Sequence, residues 1–221
     1  MTNEDILSHV DHTLLKTAAS WKEIQKLAEE ALQYKTASVC IPPSYVKPVF
    51  QAYKGLVVCT VIGFPLGYSV TSAKIREAED SLANGAAELD MVINVGDVKN
   101  GAFEKVQDEI SALKKIAGNK ILKVIVETCY LSREEKINLC KIVSVAGADY
   151  IKTSTGFGSA GAVMDDILLF KEHMRPGLKI KAAGGIKTRE DMEAFLSAGC
   201  ERLGTSSALA ILTANKQATG Y

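Results

Sequence analysis

The chain has 221 residues, room for one compact α/β barrel, which starts near ~200 residues, and for a sizeable buried core. Lys plus Arg and Asp plus Glu both number 26, so no global field favours nucleic acid or an acidic membrane, and any anionic ligand must be captured locally. No apolar run approaches the ~20 residues of a membrane span, and the polar start Met1–Glu4 lacks the apolar stretch of a signal peptide.

The five cysteines, Cys40, Cys59, Cys129, Cys140 and Cys200, are odd in number, scattered and form no CxxC pair. His9, His12 and His173 complete no zinc-ligand spacing. These features are expected of reduced thiols in a cytoplasmic protein without a metal site.

No linker or low-complexity segment interrupts the chain, so one domain is expected over 1–221, ending in a short polar tail at about 213–221. Short β-branched runs alternate with helical patterns. A first strand is expected over 8–13. Ser20-Trp21-Lys22-Glu23 then reads as a capping box opening a helix with apolar positions Ile24, Leu27, Ala28, Ala31 and Leu32. Further strands are expected over 37–41, followed by a weakly patterned helix, and over 56–62, 87–93, 120–127, 149–154, 178–183 and 201–205. Ser132-Arg133-Glu134-Glu135 is a second capping box between two of them. Runs such as Leu56-Val57-Val58-Cys59-Thr60-Val61-Ile62 are nearly continuous in apolar character, as parallel strands covered by helices are.

A weak repeat supports this pattern. Gly85, Gly147 and Gly199 each follow a helix and precede a strand, and five residues on come Asp90, Lys152 and Gly204. Eight βα units predict a single-domain (β/α)8 TIM barrel with its active site at the C-terminal strand ends. An open doubly wound sheet is the alternative, weakened by the lack of a GxGxxG fingerprint after the first strand.

Splitting each strand by parity isolates the candidate chemistry. Leu89, Met91 and Ile93 oppose Glu88, Asp90 and Val92; Leu122, Val124 and Val126 oppose Lys123, Ile125 and Glu127. Leu178, Ile180 and Ala182 oppose Lys179, Lys181 and Ala183, and Tyr150 and Lys152 share a side opposite Ile151. The apolar sets must meet the helices, so Asp90, Lys152 and Lys181 converge inside the barrel near its catalytic rim. Lys123, Glu127 and Glu88 are expected to form a deeper structural ion-pair layer, and Lys179, early in its strand, to reach solvent at the opposite mouth. Two close lysines repel, and the use for such a pair is chemical. A neighbouring cation and desolvation leave one amine partly neutral and nucleophilic. That amine forms an iminium with a carbonyl, and a carboxylate such as Asp90 shuttles protons.

The last two strands end in small residues, Ala182-Ala183-Gly184-Gly185-Ile186 and Gly204-Thr205-Ser206-Ser207. Backbone N–H groups at that place form the recurrent phosphate site of these barrels, with Gly184 and Gly185 permitting close approach and Ser206 and Ser207 adding hydroxyls. Thr153-Ser154-Thr155-Gly156 supplies a further wall, and Lys187 reads equally well as local positive charge or as a surface lysine.

Together these segments, with Val10-Asp11-His12-Thr13-Leu14-Leu15-Lys16, Cys59 to Gly67, Glu88 to Asn94, Lys123 to Cys129 and Ile151 to Phe157, closely resemble the deoxyribose-phosphate aldolase family of class I aldolases. The resemblance runs from about Asp11 to Ser207. It implies reversible cleavage of 2-deoxy-D-ribose 5-phosphate to acetaldehyde and D-glyceraldehyde 3-phosphate, without metal or organic cofactor, in deoxyribose catabolism. It further implies Lys152 as the Schiff-base lysine, Lys181 as the neighbouring cation and proton donor, and Asp90 as proton donor and acceptor. Asp11 would hold the lysine network, and Gly156, Gly184, Gly185, Ser206 and Ser207 would surround the phosphate. The implied partners are a phosphorylated sugar and aldehydes, with no nucleic acid or membrane; the family often forms homodimers, although no contiguous apolar stripe identifies an interface. A terminal tyrosine is shared with several members, so Tyr221 reads either as a lid that assists proton transfer or as a disordered end. Other readings are a transaldolase-like or ketose-phosphate aldolase, or a non-catalytic sugar-phosphate-binding barrel.

Overall fold

The computed structural model describes residues 1–213, and the expected role of Tyr221 and of the tail beyond Thr213 lies outside them. Eight parallel strands close into one barrel in sequence order: β1 (Val10–Thr13), β2 (Ser38–Ile41), β3 (Val58–Ile62), β4 (Glu88–Val92), β5 (Ile121–Ile125), β6 (Tyr150–Lys152), β7 (Lys179–Ala183) and β8 (Arg202–Thr205). The last pairs back to the first, with Asp11 opposite Gly204. All eight expected strands are present; each begins one or two residues later than expected, and β4, β5 and β6 also end one or two residues earlier. The helices are α1 (Asn3–Leu7), α2 (Trp21–Tyr34), α3 (Val46–Ala52), α4 (Thr71–Ala83), α5 (Val95–Lys99), α6 (Phe103–Ala117), α7 (Arg133–Val145), α8 (Met164–His173), α9 (Arg189–Ala198) and α10 (Ala208–Thr213).

Local signals account for the boundaries. Ser20 and Ser132 accept from the backbones of Glu23 and Glu135, whose carboxylates return to the cap N–H groups, so both capping boxes form. Gly85 and Gly147 follow the caps of α4 and α7 with φ of 108° and 79°, and Gly199 is itself the left-handed cap of α9. Ile24, Leu27, Ala28 and Ala31 of α2 are buried, whereas Leu32 is exposed.

Parity sorts the strands as expected. Leu89, Met91 and Ile93, Leu122, Val124 and Val126, Ile151, and Ile180 and Ala182 pack in the core between sheet and helices. The opposite parity carries the charges inward. Lys179 is one exception: it is exposed and pairs with Glu201 at 3.0 Å, at the end of the barrel away from the site.

Among the described residues, one fully buried lysine lies outside the barrel interior. Lys74 of α4 is fully buried, donating to Glu109 of α6 at 2.7 Å and to the Val92 carbonyl at 2.8 Å. It ties two neighbouring helices to the carboxyl end of β4. Burial pushes this ammonium below the usual lysine range, and Glu109 partly restores it. Replacing Glu109 by Ala is expected to cost about 3–5 kcal/mol, because it strands a buried charge. Ser20→Ala at the α2 cap is expected to cost about 1 kcal/mol. Urea unfolding measures both; equally small losses would show that Lys74 finds another partner.

Candidate active site

The inward faces of β1, β4, β5, β6, β7 and β8 assemble one continuous charged cluster. Lys152 and Lys181 stand opposite each other in the β6–β7 register, and both donate to the same oxygen of Asp90, Oδ2, at 2.7 and 2.6 Å. Lys181 also donates to Asp11 Oδ2 at 2.5 Å. Asp11 Oδ1 accepts from Ser38 at 2.7 Å and Arg202 at 2.5 Å. Lys123 lies 2.9 Å from Asp90, 2.5 Å from Glu88 and 3.6 Å from Asp11, and Arg202 bridges Glu88 to Asp11. Gly204 makes the crowding possible: a Cβ there would stand 3.0 Å from the Lys181 side chain and from the Ala183 Cβ.

Asp11, Asp90, Lys123 and Lys181 are wholly buried, and Lys152 is 3% exposed. Burial alone would raise the carboxyls, but the adjoining cations outweigh it. Lys123, Lys152 and Lys181 hold Asp90 well below the usual carboxylate range, and Lys123, Lys181 and Arg202 do the same for Asp11. Burial likewise works against the Lys181 ammonium, yet Asp11 and Asp90 hold it above the usual lysine range, so Lys181 stays charged. Through these contacts the cluster joins three carboxylates (Asp11, Glu88, Asp90) to four cationic side chains (Lys123, Lys152, Lys181, Arg202). Lys123 touches three of the carboxylates, Lys181 and Arg202 two each, and Lys152 one.

Lys152 opens on a cavity of about 430 Å³ whose wall includes Gly156, Gly184, Gly185, Ser206 and Ser207, together with Lys16 and Lys187. Every expected phosphate residue therefore lines the same space as Lys152. Gly156, Gly184 and Gly185 adopt φ of 86°, 79° and 75°, which turns their backbone in a way that side-chain-bearing residues resist. The loop after β6 closes onto this wall, with the Ala162 N–H donating to the carbonyls of Ala183 and Gly184 at 3.1 Å. A Cβ on Gly161 would stand 2.3 Å from the Gly184 backbone. Lys16 was not singled out from sequence, and its place in the Thr13–Lys16 loop after β1 is the signal that could have found it.

Three corrections concern the deeper layer. Lys123 and Glu88 pair as expected, but Lys123 also reaches Asp90 and belongs to the active cluster. Glu127 does not join them. It sits at the opposite, carboxyl end of β5 with a left-handed backbone (φ 56°) and bonds to Thr155. Arg202 was missed, although it shares parity with Gly204 in β8 and so had to point inward. Two sets of donor atoms, Cys40–Cys59–Asp90 and Asp11–Cys59–Glu88, each converge within 4.8 Å, as cation ligands would. The Lys123 ammonium already occupies that role, donating to Cys59 at 3.4 Å and to Asp90 and lying beside Glu88. Burial pushes the Cys59 thiol well above its usual range, so it serves as a neutral donor to Asp90 at 3.2 Å.

The profile of the DeoC/LacD family aldolases matches residues 6–212. This chain belongs to that family. A deoxyribose-phosphate aldolase of Clostridium botulinum (strain Alaska E43 / Type E3) is 57% identical over the whole of both chains. A crystal structure of a putative deoxyribose-phosphate aldolase from Coccidioides immitis superposes with a TM-score of 0.93 at 38% identity, covering 98% of this chain and 87% of that one. A deoxyribose phosphate aldolase from Aeropyrum pernix, described as having a unique tetrameric structure, gives 0.90 at 32% identity, covering 99% of this chain and 94% of that one. The family's barrel is thus the fold seen here, with the charged cluster inside it and Lys152 at the carboxyl end of β6. No helix among the described residues is long and apolar enough to cross a membrane.

Asp11→Asn removes one of only three carboxylates from a dry cluster and is expected to cost about 3–5 kcal/mol at neutral pH. Because the folded protein holds Asp11 below the usual carboxylate range, its stabilisation is complete above that range and is lost as pH falls toward the folded-state value. The gap between parent and variant should therefore shrink below about pH 4. Urea unfolding across the acid range tests this, and a gap independent of pH would deny Asp11 its ionic role.

Proposed function

We propose that this chain is a single-domain class I aldolase that reversibly cleaves 2-deoxy-D-ribose 5-phosphate to acetaldehyde and D-glyceraldehyde 3-phosphate. The observation that carries the reading is the pair of amines, Lys152 and Lys181, on one oxygen of Asp90, with Lys152 alone of the two lining the cavity. Family membership and the C. botulinum relative's name support the substrate.

Charge balance selects the nucleophile. With every amine protonated, the cluster holds one more positive than negative charge in a site where uncompensated charge is costly. Arg202 cannot give up its proton, Lys123 and Lys181 are each held by at least two carboxylates, and Lys152 is held by one and faces the cavity. Lys152 is the amine whose neutralisation sacrifices the least attraction. Its Nζ adds to the C1 carbonyl, and loss of water gives an iminium. Removal of the C3 hydroxyl proton breaks the C2–C3 bond, releasing D-glyceraldehyde 3-phosphate while the electron pair moves into the enamine. Protonation of C2 and hydrolysis free acetaldehyde and restore the amine. Asp90 shuttles the protons, and Lys181 serves as the fixed cation and proton donor, with Asp11 holding it in place. Gly156, Gly184, Gly185, Ser206 and Ser207 receive the phosphate, with Lys16 and Lys187 supplying positive charge nearby. The reaction as drawn calls on no cofactor. A cytoplasmic location and a homodimeric assembly complete the proposal, resting on the unpaired cysteines and on the family resemblance.

Borohydride reduction with acetaldehyde should add one ethyl group, mapped by peptide mass to Lys152, and Lys152→Ala should abolish it. A correctly folded protein without adduct would reject the aldolase reading. Lys181→Leu removes the fixed cation and proton donor and should lower turnover by about tenfold or more, and unchanged turnover would refute that role. Asp90→Asn should still trap the imine but turn over slowly.

A further inference from the structure

The charge cluster uses every buried acid of the barrel interior except Glu127. Strand parity aims this residue inward, alongside Lys123 and Ile125. The backbone instead breaks the ladder at it. The N–H groups of Val126 and Thr128 donate to the consecutive carbonyls of Lys152 and Thr153, so Glu127 is the extra residue of a bulge between β5 and the end of β6. It takes φ 56° and ψ 66°, a left-handed conformation that a side-chain-bearing residue adopts only under constraint. The residue is 4% exposed, and its carboxylate bonds to a single residue. Glu127 Oε1 accepts from the Thr155 N–H at 3.1 Å, and Oε2 accepts from the same N–H at 3.3 Å and from the Thr155 hydroxyl. That hydroxyl in turn accepts from the Phe157 N–H at 3.0 Å. The packing is tight: a Cβ on Gly158 would stand 3.2 Å from the Glu127 carboxyl carbon.

We infer that Glu127 is a positioning residue that clamps Thr155-Gly156-Phe157 as the wall between the reacting amine and the phosphate end of the substrate. The bulge re-aims a carboxylate from the barrel axis to the loop that follows Lys152. The two-point grip on Thr155 fixes both ends of the Gly156 turn, whose φ of 86° leaves it otherwise free to swing. Thr155, Gly156 and Phe157 all line the cavity that Lys152 enters, together with Gly184, Gly185, Ser206 and Ser207. A pre-set wall spares the bound phosphate the cost of ordering that loop. The inference rests on the phosphate role proposed for this cavity, and it concerns recognition of the phosphorylated end and not imine chemistry.

The test compares 2-deoxy-D-ribose 5-phosphate with unphosphorylated 2-deoxy-D-ribose in retro-aldol assays, with acetaldehyde–borohydride trapping alongside. Glu127→Ala should lower kcat/KM for the phosphorylated sugar by about tenfold or more, chiefly through KM, with less than about threefold change for the unphosphorylated sugar. Glu127→Gln, whose amide oxygen still accepts from Thr155, should recover most of the loss. Thr155→Val should reproduce the Ala phenotype, and the double variant should be no worse than either single, the signature of one shared interaction. Should Glu127→Ala fail to fold, Glu127→Gln and Thr155→Val carry the comparison. Equal losses on both sugars, or additive losses in the double variant, would overturn the clamp. A parent protein that traps no acetaldehyde would instead overturn the aldolase reading, so the two failures are distinguishable.

Discussion

The interior depends on one carboxylate oxygen serving two ammonium groups. Asp90 Oδ2 accepts from both Lys152 and Lys181, and Asp90 Oδ1 accepts from Lys123. An acid so surrounded stays ionised, and its single negative charge cannot satisfy three cations. The remaining demand falls on Asp11 and Glu88, and the sharing is uneven: the lysines farthest from the cavity take most of the carboxylate contacts. Lys152 is left at the open end with one partner. Of the cluster's cationic side chains, Lys152 is the one that lines the cavity, and a dry interior penalises the cluster's uncompensated charge. The layout of the site follows an arithmetic of charges as much as the properties of any one residue.

Barrel geometry makes that arithmetic possible. Side chains from six strands meet in the interior only if each strand offers the right parity at the right height, and the register provides this: Lys152 stands opposite Lys181, Lys123 opposite Asp90, and Asp11 opposite Gly204. The glycine is part of the design, because a larger residue would occupy the path of the Lys181 side chain. The outer faces of the same strands are uniformly apolar and hold the helices, so the stabilising contacts and the reactive contacts lie on opposite sides of one sheet. Loops at the carboxyl rim are then free to shape the cavity without disturbing the core.

Much of this was legible in the sequence because strand periodicity is a two-state variable. Once Leu89 and Met91 are assigned to the helices, Asp90 must face the axis, and the same step places Lys152 and Lys181. The small-residue wall of the cavity was legible for a different reason: Gly184-Gly185 and Gly204-Thr205-Ser206-Ser207, each a weak signal alone, fall at the ends of adjacent strands. Where periodicity ends, so does its power. Glu127 has inward parity, yet a one-residue bulge carries it to the rim, and nothing in the pattern Val124-Ile125-Val126-Glu127 announces a left-handed backbone. Lys74 escaped for the converse reason. A lysine in a helix rich in charge reads as a solvated face, and only the packing of α4 on α6 shows that its ammonium is sealed between Glu109 and the Val92 carbonyl.

These two hidden residues also explain how a rim made of loops stays ordered without a core beneath it. Lys74 holds the carboxyl end of β4, two residues beyond Asp90, and Glu127 grips the loop that begins three residues beyond Lys152. Each supplies a charged hydrogen bond shielded from water, where such bonds are strongest. The price of a buried charge is tolerable there because each partner is fixed: Lys74 has an acid, and Glu127 has the N–H and hydroxyl of one threonine. The same low dielectric that makes uncompensated charge costly in the cluster makes these paired groups hard to move. A charged interior and rigid walls around its open end thus depend on a single physical condition, the exclusion of water from the barrel's upper interior.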